Sequence, residues 1–273
     1  MATTPDWVPA GIDTDTPSVA RLYDVYVGGE HNLDSDRETA RSALDALPGL
    51  DIAIGANRAF LRRAVRYAAE LGVSQFLDIG SGIPTPGNGN THDVARGVIP
   101  GARVVYVDHD PVAVARSREI LEGDPAAAAI TGDFLAPKDI LDHPEVRALI
   151  DLDQPVALML VAVLHFIEDK DDPWEKVAQL RDALAPGSVL ILSHAYVAKD
   201  SGVGTTSEEL QRVYSDFGAQ LQNRGPAETG RFFDGFRLVE PGLTGMADWR
   251  PDADTLADHP MQHTGVVGVG LKV

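Results

Sequence analysis

Asp78, Gly80, Ser81 and Gly82 close an apolar run, Gln75-Phe-Leu-Asp-Ile-Gly-Ser-Gly82, and Asp108 closes a second one, Arg103-Val-Val-Tyr-Val-Asp-His-Asp-Pro111. Glycines at a strand end let the backbone approach a ligand closely, and an acid after the next strand can accept both vicinal hydroxyls of a ribose. These residue types at this spacing point to a nucleoside-bearing cofactor. The third glycine of a dinucleotide fingerprint is missing, because Ile83-Pro84 follows. Asp108 also lies 26 positions beyond Gly82, against about 20 in that fingerprint. Both departures disfavour a pyrophosphate cradle at this turn.

The elements that must position these residues follow from periodicity and punctuation. Short apolar strands are expected near 75–79, 103–107, 128–131, 155–161, 188–193, 236–240 and 265–272, alternating with helices. That alternation is the mark of a doubly wound α/β domain. Asp110-Pro111 opens one helix with an N-cap and a first-turn proline, and Asp172-Pro173-Trp-Glu175 opens another with a capping-box-like acid. Pro241, Pro251 and Pro260 with Gly242 and Gly245 leave little room for a long helix before the last strand. Sequential parallel strands need a crossover helix, so the last strand is expected to run antiparallel.

Ahead of the sheet the chain reads as an arm over residues 1–17 and three helices, from 17 or 18 to 27, 34 to 47 and 57 to 71. Residues 1–72 are therefore expected to form an N-terminal arm and helical cap, and 73–273 the cofactor-binding domain. An insertion is expected at about 199–233, where Leu210, Val213, Tyr214, Phe217 and Leu221 form a helical stripe that suits core packing better than a substrate surface.

Composition bounds the function. The chain has 273 residues, 44% of them hydrophobic, which suits one large domain with a sizeable core. No cysteine is present, so disulfides and thiolate chemistry are excluded. The N-terminus lacks the basic and apolar regions of a secretory signal, and no apolar run reaches the roughly 18 residues of a membrane span; a soluble cytoplasmic protein is expected. A formal charge of −18 disfavours nucleic acid as substrate. Arg58, Arg62, Arg63 and Arg66 are close enough in sequence for a basic patch, but read more simply as the solvated face of a helix.

Taken together the residues resemble the class I S-adenosylmethionine-dependent methyltransferases, and more narrowly a bacterial S-adenosyl methyltransferase family formerly known as a domain of unknown function. The resembling segments are Ala20-Arg-Leu-Tyr-Asp24, Gly28-Gly29-Glu-His-Asn32, Ala56-Asn-Arg-Ala-Phe60 and Phe76-Leu-Asp-Ile-Gly-Ser-Gly-Ile-Pro-Thr-Pro-Gly-Asn88. Further along come Val105-Tyr-Val-Asp-His-Asp-Pro111, Val161-Ala-Val-Leu-His-Phe166, Arg231-Phe-Phe-Asp-Gly235 and Leu238-Val-Glu-Pro-Gly242. The resemblance implies a Rossmann-like methyltransferase sheet, mostly parallel with an antiparallel last strand, plus the N-terminal helical cap. It implies S-adenosylmethionine as cofactor and methyl transfer as activity, without fixing the acceptor.

Under that resemblance Gly80, Ser81 and Gly82 present backbone amides to the methionine end of the cofactor. Asp78 fixes the turn or meets the ammonium group, and Asp108, with His109 beside it, takes the ribose. Asp133 accepts from the adenine amine while Phe134 covers the ring, although Gly132-Asp133 also suits an ordinary polar turn. Val161 ends the fourth strand at the site, Tyr23 closes from the cap and Arg58 pairs with the methionine carboxylate. His165 and His194, at the ends of the fourth and fifth strands, are the candidate general bases for an acceptor that must lose a proton; each also suits a hydrogen-bonded structural histidine. Glu168, Asp169, Asp171 and Asp172 invite a magnesium reading, but Asp172 is needed as a cap and no metal is expected. The expected partner is a small-molecule acceptor. A cofactor-binding protein without transferase activity and, less favoured, an NAD-dependent oxidoreductase are the alternatives.

Overall fold

The computed structural model describes residues 7–9, 11–84, 89–198, 204–252 and 259–273, of which 204–207 by backbone alone. Its helical entry comprises α1 (Val19–Tyr26), α2 (Asp34–Ala46) and α3 (Leu50–Glu70). The sheet then begins with β1 (Gln75–Ile79), α4 (Thr91–Val98), β2 (Arg103–Asp108), α5 (Pro111–Ile120) and β3 (Ala127–Thr131). After α6 (Pro137–Asp142) and α7 (Pro144–Leu149) come β4 (Ala157–Val161), α8 (Pro173–Asp182) and β5 (Val189–His194). The chain closes through α9 (Gly204–Ser215), α10 (Pro226–Gly230), β6 (Phe236–Leu238) and β7 (Val266–Lys272).

The strands form one seven-stranded sheet in the order β3-β2-β1-β4-β5-β7-β6. β1 to β5 pair in parallel, and β7 pairs antiparallel with both β5 and β6, so six strands run one way and β7 alone runs the other. The expected antiparallel last strand is thus observed, and among the described residues no α-helix links β6 to β7. Alternation along each strand feeds two cores. Phe76, Val104, Tyr106, Met159 and Ile191 face one layer, while Leu77, Val105, Val107, Leu158 and Leu190 face the other. Among the described residues no helix is long and apolar enough to cross a membrane.

Three expectations need correction. The third helix starts at Leu50 rather than near 57 and runs through Gly55. Its face of Ala56, Phe60, Ala64, Val65 and Ala68 packs into the sheet core, so α3 is a layer of the α/β sandwich and only α1 and α2 sit as a cap. The stripe from Leu210 to Leu221 does not stay helical, because α9 ends at Ser215 and Gly218 takes φ +89°. Residues 85–88 of the quoted Pro-Thr-Pro-Gly-Asn segment, and 199–203 of the insertion, lie outside the described residues.

The cap is fixed by buried charge. Arg21 places Nη1 3.3 Å from Asp36 Oδ2 and Nε 3.7 Å from Asp110 Oδ2, and all three side chains are buried. Asp110 is the expected N-cap of α5, accepting from Val112 N at 2.7 Å and Ala113 N at 3.0 Å. Ser18, at the start of α1, also donates its hydroxyl to Asp110. The arm packs as well: Trp7 and Ile12 cover Ala20, Ile83 and Val112.

Candidate functional site

The strand order reverses between β1 and β4, and in an open α/β sheet ligands bind outside the carboxyl ends of the strands at such a point. A cleft of about 930 Å³, counting its open mouth, lies there. Tyr23, Arg58, Asp78, Gly80, Ser81, Gly82, Asp108, His109, Asp133, Phe134 and Val161 all line it. Every residue expected at the cofactor site therefore falls in one cavity, although they come from α1, α3 and the ends of four strands. Asn57, Ala162 and Phe166 line the same cleft and were assigned no role from the sequence.

The glycines differ in why they are glycines. Gly80 has φ +70°, and a Cβ there would sit 2.2 Å from Val163 Cγ2. Gly82 has φ +64° with open space where a Cβ would point. One is excluded from bearing a side chain by packing, the other by backbone conformation alone.

Asp108 holds the floor of the cleft. Gly82 N–H donates to its Oδ2 at 2.7 Å and Asp110 N–H to its Oδ1 at 2.9 Å. Each oxygen retains a further lone pair, as binding two hydroxyls requires. Burial pushes its pKa up, against the backbone donors and His109, whose Nδ1 lies 3.6 Å away. Asp78 is also buried, accepts the Thr91 hydroxyl at 2.7 Å, and is pushed up to about 6 by desolvation, with Thr91 and Arg58 opposing. A cationic ligand group would relieve that desolvation. The donor set fits S-adenosylmethionine: carboxylates for the ribose and an ammonium, an arginine for a carboxylate, and a glycine turn open to the ligand. Asp133 Oδ1 accepts from Leu135 N at 2.8 Å, so one of its oxygens holds the turn while the residue borders the cleft.

Beside this cleft lies a second cavity of about 800 Å³, again counting its open mouth, and Val19, Tyr23, Asn57, Ala162 and Phe166 line both. Asn57 donates Nδ2–H to the Tyr23 hydroxyl at 3.0 Å, while its buried Oδ1 has no protein partner among the described residues. Ala162 adopts φ +59°, a left-handed conformation costing an alanine roughly 1–2 kcal/mol. Its amide donates to Ser193 Oγ at 2.9 Å, which holds this kink at the junction of the two cavities.

The two histidines separate. His165 borders the second cavity, and its Nδ1 accepts from Ala195 N at 3.2 Å. Burial holds it well below the usual imidazole range, with His194 and Arg224 adding to the effect. A neutral ring accepting at Nδ1 carries its proton on Nε2, so the lone pair a base would use is already engaged. His194 is fully buried and borders neither cavity. Its Nδ1 lies 2.7 Å from Ala195 O and its Nε2 3.3 Å from Arg224 Nη1. Since arginine only donates and a carbonyl only accepts, both ring nitrogens are satisfied. Burial pushes it down to about 4. The geometry thus gives His194 a structural place and offers neither histidine as a ready base.

The remaining charge clusters also resolve. The four arginines do not form one solvated face: Arg63 is buried and donates to Trp249 O at 2.9 Å and Met246 O at 2.7 Å, Arg66 meets Asp252 at 3.2 Å, and Arg58 faces the cleft. Asp169 accepts two bonds from Arg224, Glu168 pairs with Lys170, and Asp172 caps α8 by accepting from Glu175 N.

The profile of a family described as S-adenosyl methyltransferase matches residues 5–273. A solved structure from Thermobifida fusca YX, described provisionally as a methyltransferase, is 42% identical, with 98% of this chain and 99% of that one covered and a TM-score of 0.88. A DUF574 family protein from Streptomyces avermitilis MA-4680 is 36% identical over 96% and 99%, with a TM-score of 0.89. A SAM-dependent methyltransferase from Anabaena variabilis ATCC 29413 shares the fold at 13% identity, covering 97% and 99% with a TM-score of 0.55. No curated protein matches the chain. The match along nearly the whole length, with relatives at 42% and 36% identity, establishes that this chain belongs to the S-adenosyl methyltransferase family, with S-adenosylmethionine as its cofactor.

Proposed function

We propose that this protein transfers the methyl group of S-adenosylmethionine to a small-molecule acceptor, with the cofactor lying in the cleft between Asp78, Asp108 and Arg58. The observation that carries this reading is the convergence of all the expected cofactor residues on one cleft at the sheet's reversal point. S-adenosylmethionine supplies a methyl group on a sulfonium, which passes in line to an acceptor lone pair while the sulfur keeps the bonding electrons.

Alignment supplies much of the rate in such a displacement, and a covalent enzyme group is unnecessary. Asp108 and the Gly80–Gly82 turn orient, and Tyr23 and Phe166 line both cavities. Neither histidine is placed to take the acceptor's proton, since both lone pairs are engaged. A protein that only bound the cofactor would need no second cavity sharing lining residues with the first. The acidic molecule, with its net charge of −18, is a poor partner for nucleic acid.

The test is a thermal-shift comparison of S-adenosylmethionine, S-adenosylhomocysteine and NAD at matched concentrations. A ligand present at about 100 times its dissociation constant stabilises by about 2.7 kcal/mol. Stabilisation by the two adenosyl sulfur compounds alone is the expected result, and stabilisation by NAD alone would sink the reading.

A further inference from the structure

We propose that the second cavity is the acceptor site, and that it takes an uncharged, ring-bearing molecule lying against the wall shared with the cofactor cleft. This rests on the methyltransferase reading above and narrows it to a substrate class.

Charge is the first argument. Among the described residues that line this cavity there is no Asp, Glu, Lys or Arg, whereas the adjoining cofactor cleft has Arg58, Asp78, Asp108 and Asp133. The cavity's one ordinary titrating side chain, His165, is held neutral by burial. An ion entering such a space loses its hydration without gaining a counter-charge. A neutral molecule does not face that cost.

Shape and wall chemistry give the second. Tyr23, Tyr26, Phe166, Tyr196 and Tyr214 line the cavity. Aromatic walls favour edge-to-face and offset contacts with a ring-bearing ligand. The Tyr26 and Tyr214 hydroxyls lie 3.2 Å apart, so one donates to the other and one proton is left to offer.

The third is position. Tyr23, Asn57, Ala162 and Phe166 line both cavities, so a ligand in the second stands against the cofactor cleft.

The test uses the full chain and three probes with one ring skeleton: 2-naphthol, 2-naphthoate and naphthalene. Each is titrated with and without saturating S-adenosylhomocysteine, whose own binding is measured first. The neutral alcohol should bind at least about tenfold tighter than the carboxylate, as a cavity without counter-charge requires. Leu210→Trp or Ala53→Leu, both outside the cofactor cleft, should weaken 2-naphthol by about tenfold through filled space while leaving S-adenosylhomocysteine affinity unchanged. That unchanged affinity also shows that the variant has folded. Naphthalene should also bind more tightly than 2-naphthoate, since the aromatic walls contact the ring and offer no counter-charge. Equal or tighter binding of 2-naphthoate, indifference of 2-naphthol to both filling variants, or no binding of 2-naphthol in either state would overturn the proposal. Failure of S-adenosylhomocysteine to bind would instead overturn the cofactor reading, while the titrations without it still judge the second cavity.

Discussion

Asp108 has two duties, and a conservative substitution separates them. It accepts the backbone amides of Gly82 and Asp110, and in the proposed site it also accepts the ribose. Asp108→Asn keeps the volume and one acceptor but removes the charge. S-adenosylhomocysteine affinity should fall by roughly 1.5–3 kcal/mol, the range for hydrogen bonds to a charged group, as isothermal titration would show. Unchanged affinity in a folded variant would remove Asp108 from the site. Asp78 gives a pH signature. Its folded pKa, about 6, lies above the ordinary 3.8, so the native state holds this proton more tightly than the unfolded chain does. The associated stability is full below 3.8 and is lost as pH rises through about 6. Asp78→Asn should therefore lose less unfolding free energy between these values, by up to about 3 kcal/mol at 1.36 kcal/mol per unit, while binding the cofactor more weakly. Denaturant titrations at several pH values would check the first half. At this scale the gathering of these residues in one cleft was legible because each follows an apolar run or carries the family's motif. Asn57 was not assigned a role, although it left a signal: it sits four residues after Ala53 and three before Phe60, on the buried face of α3. Ala162 left none, since its left-handed backbone is imposed by contacts with β5 that local sequence does not encode.

Between elements, the decisive contact is the buried Arg21–Asp36–Asp110 group, which joins α1, α2 and the start of α5. Arg21→Met would leave two buried carboxylates without their cation, a change that typically costs 3–5 kcal/mol. The expected outcome is a lower denaturant midpoint together with weaker S-adenosylhomocysteine binding, because Val19, Ala20 and Tyr23 of α1 line the cleft. A variant that lost stability but bound the ligand normally would show that the cap is not part of the site. The strands and the Asp110 and Asp172 caps were readable because turn chemistry and short apolar runs are local signals. The start of α3 was not: Pro48, Gly49 and Gly55 look like breakers, yet burial of Ala53 and Ala56 outweighs the roughly 1 kcal/mol that a glycine costs within a helix. The buried Arg63 was likewise invisible, because its partners at Met246 and Trp249 lie over 180 positions away.

Across the whole molecule the net charge of −18 works against compactness through self-repulsion. Adding salt should raise the thermal midpoint, since the screening length falls to about 10 Å at 0.1 M. A midpoint indifferent to sodium chloride up to about that concentration would mean that local ion pairs have already absorbed the repulsion. The two cavities have unlike origins. The cofactor floor is drawn from the ends of the sheet's strands, while the second cavity takes much of its wall from α1, the start of α3, α9 and the turn around Met261. Substitutions at Leu50, Ala53, Leu210 or Met261 can therefore reshape one chamber while every residue of the other stays in place. A lineage built on this plan is free to change what it modifies without relearning how to hold the reagent that does the modifying.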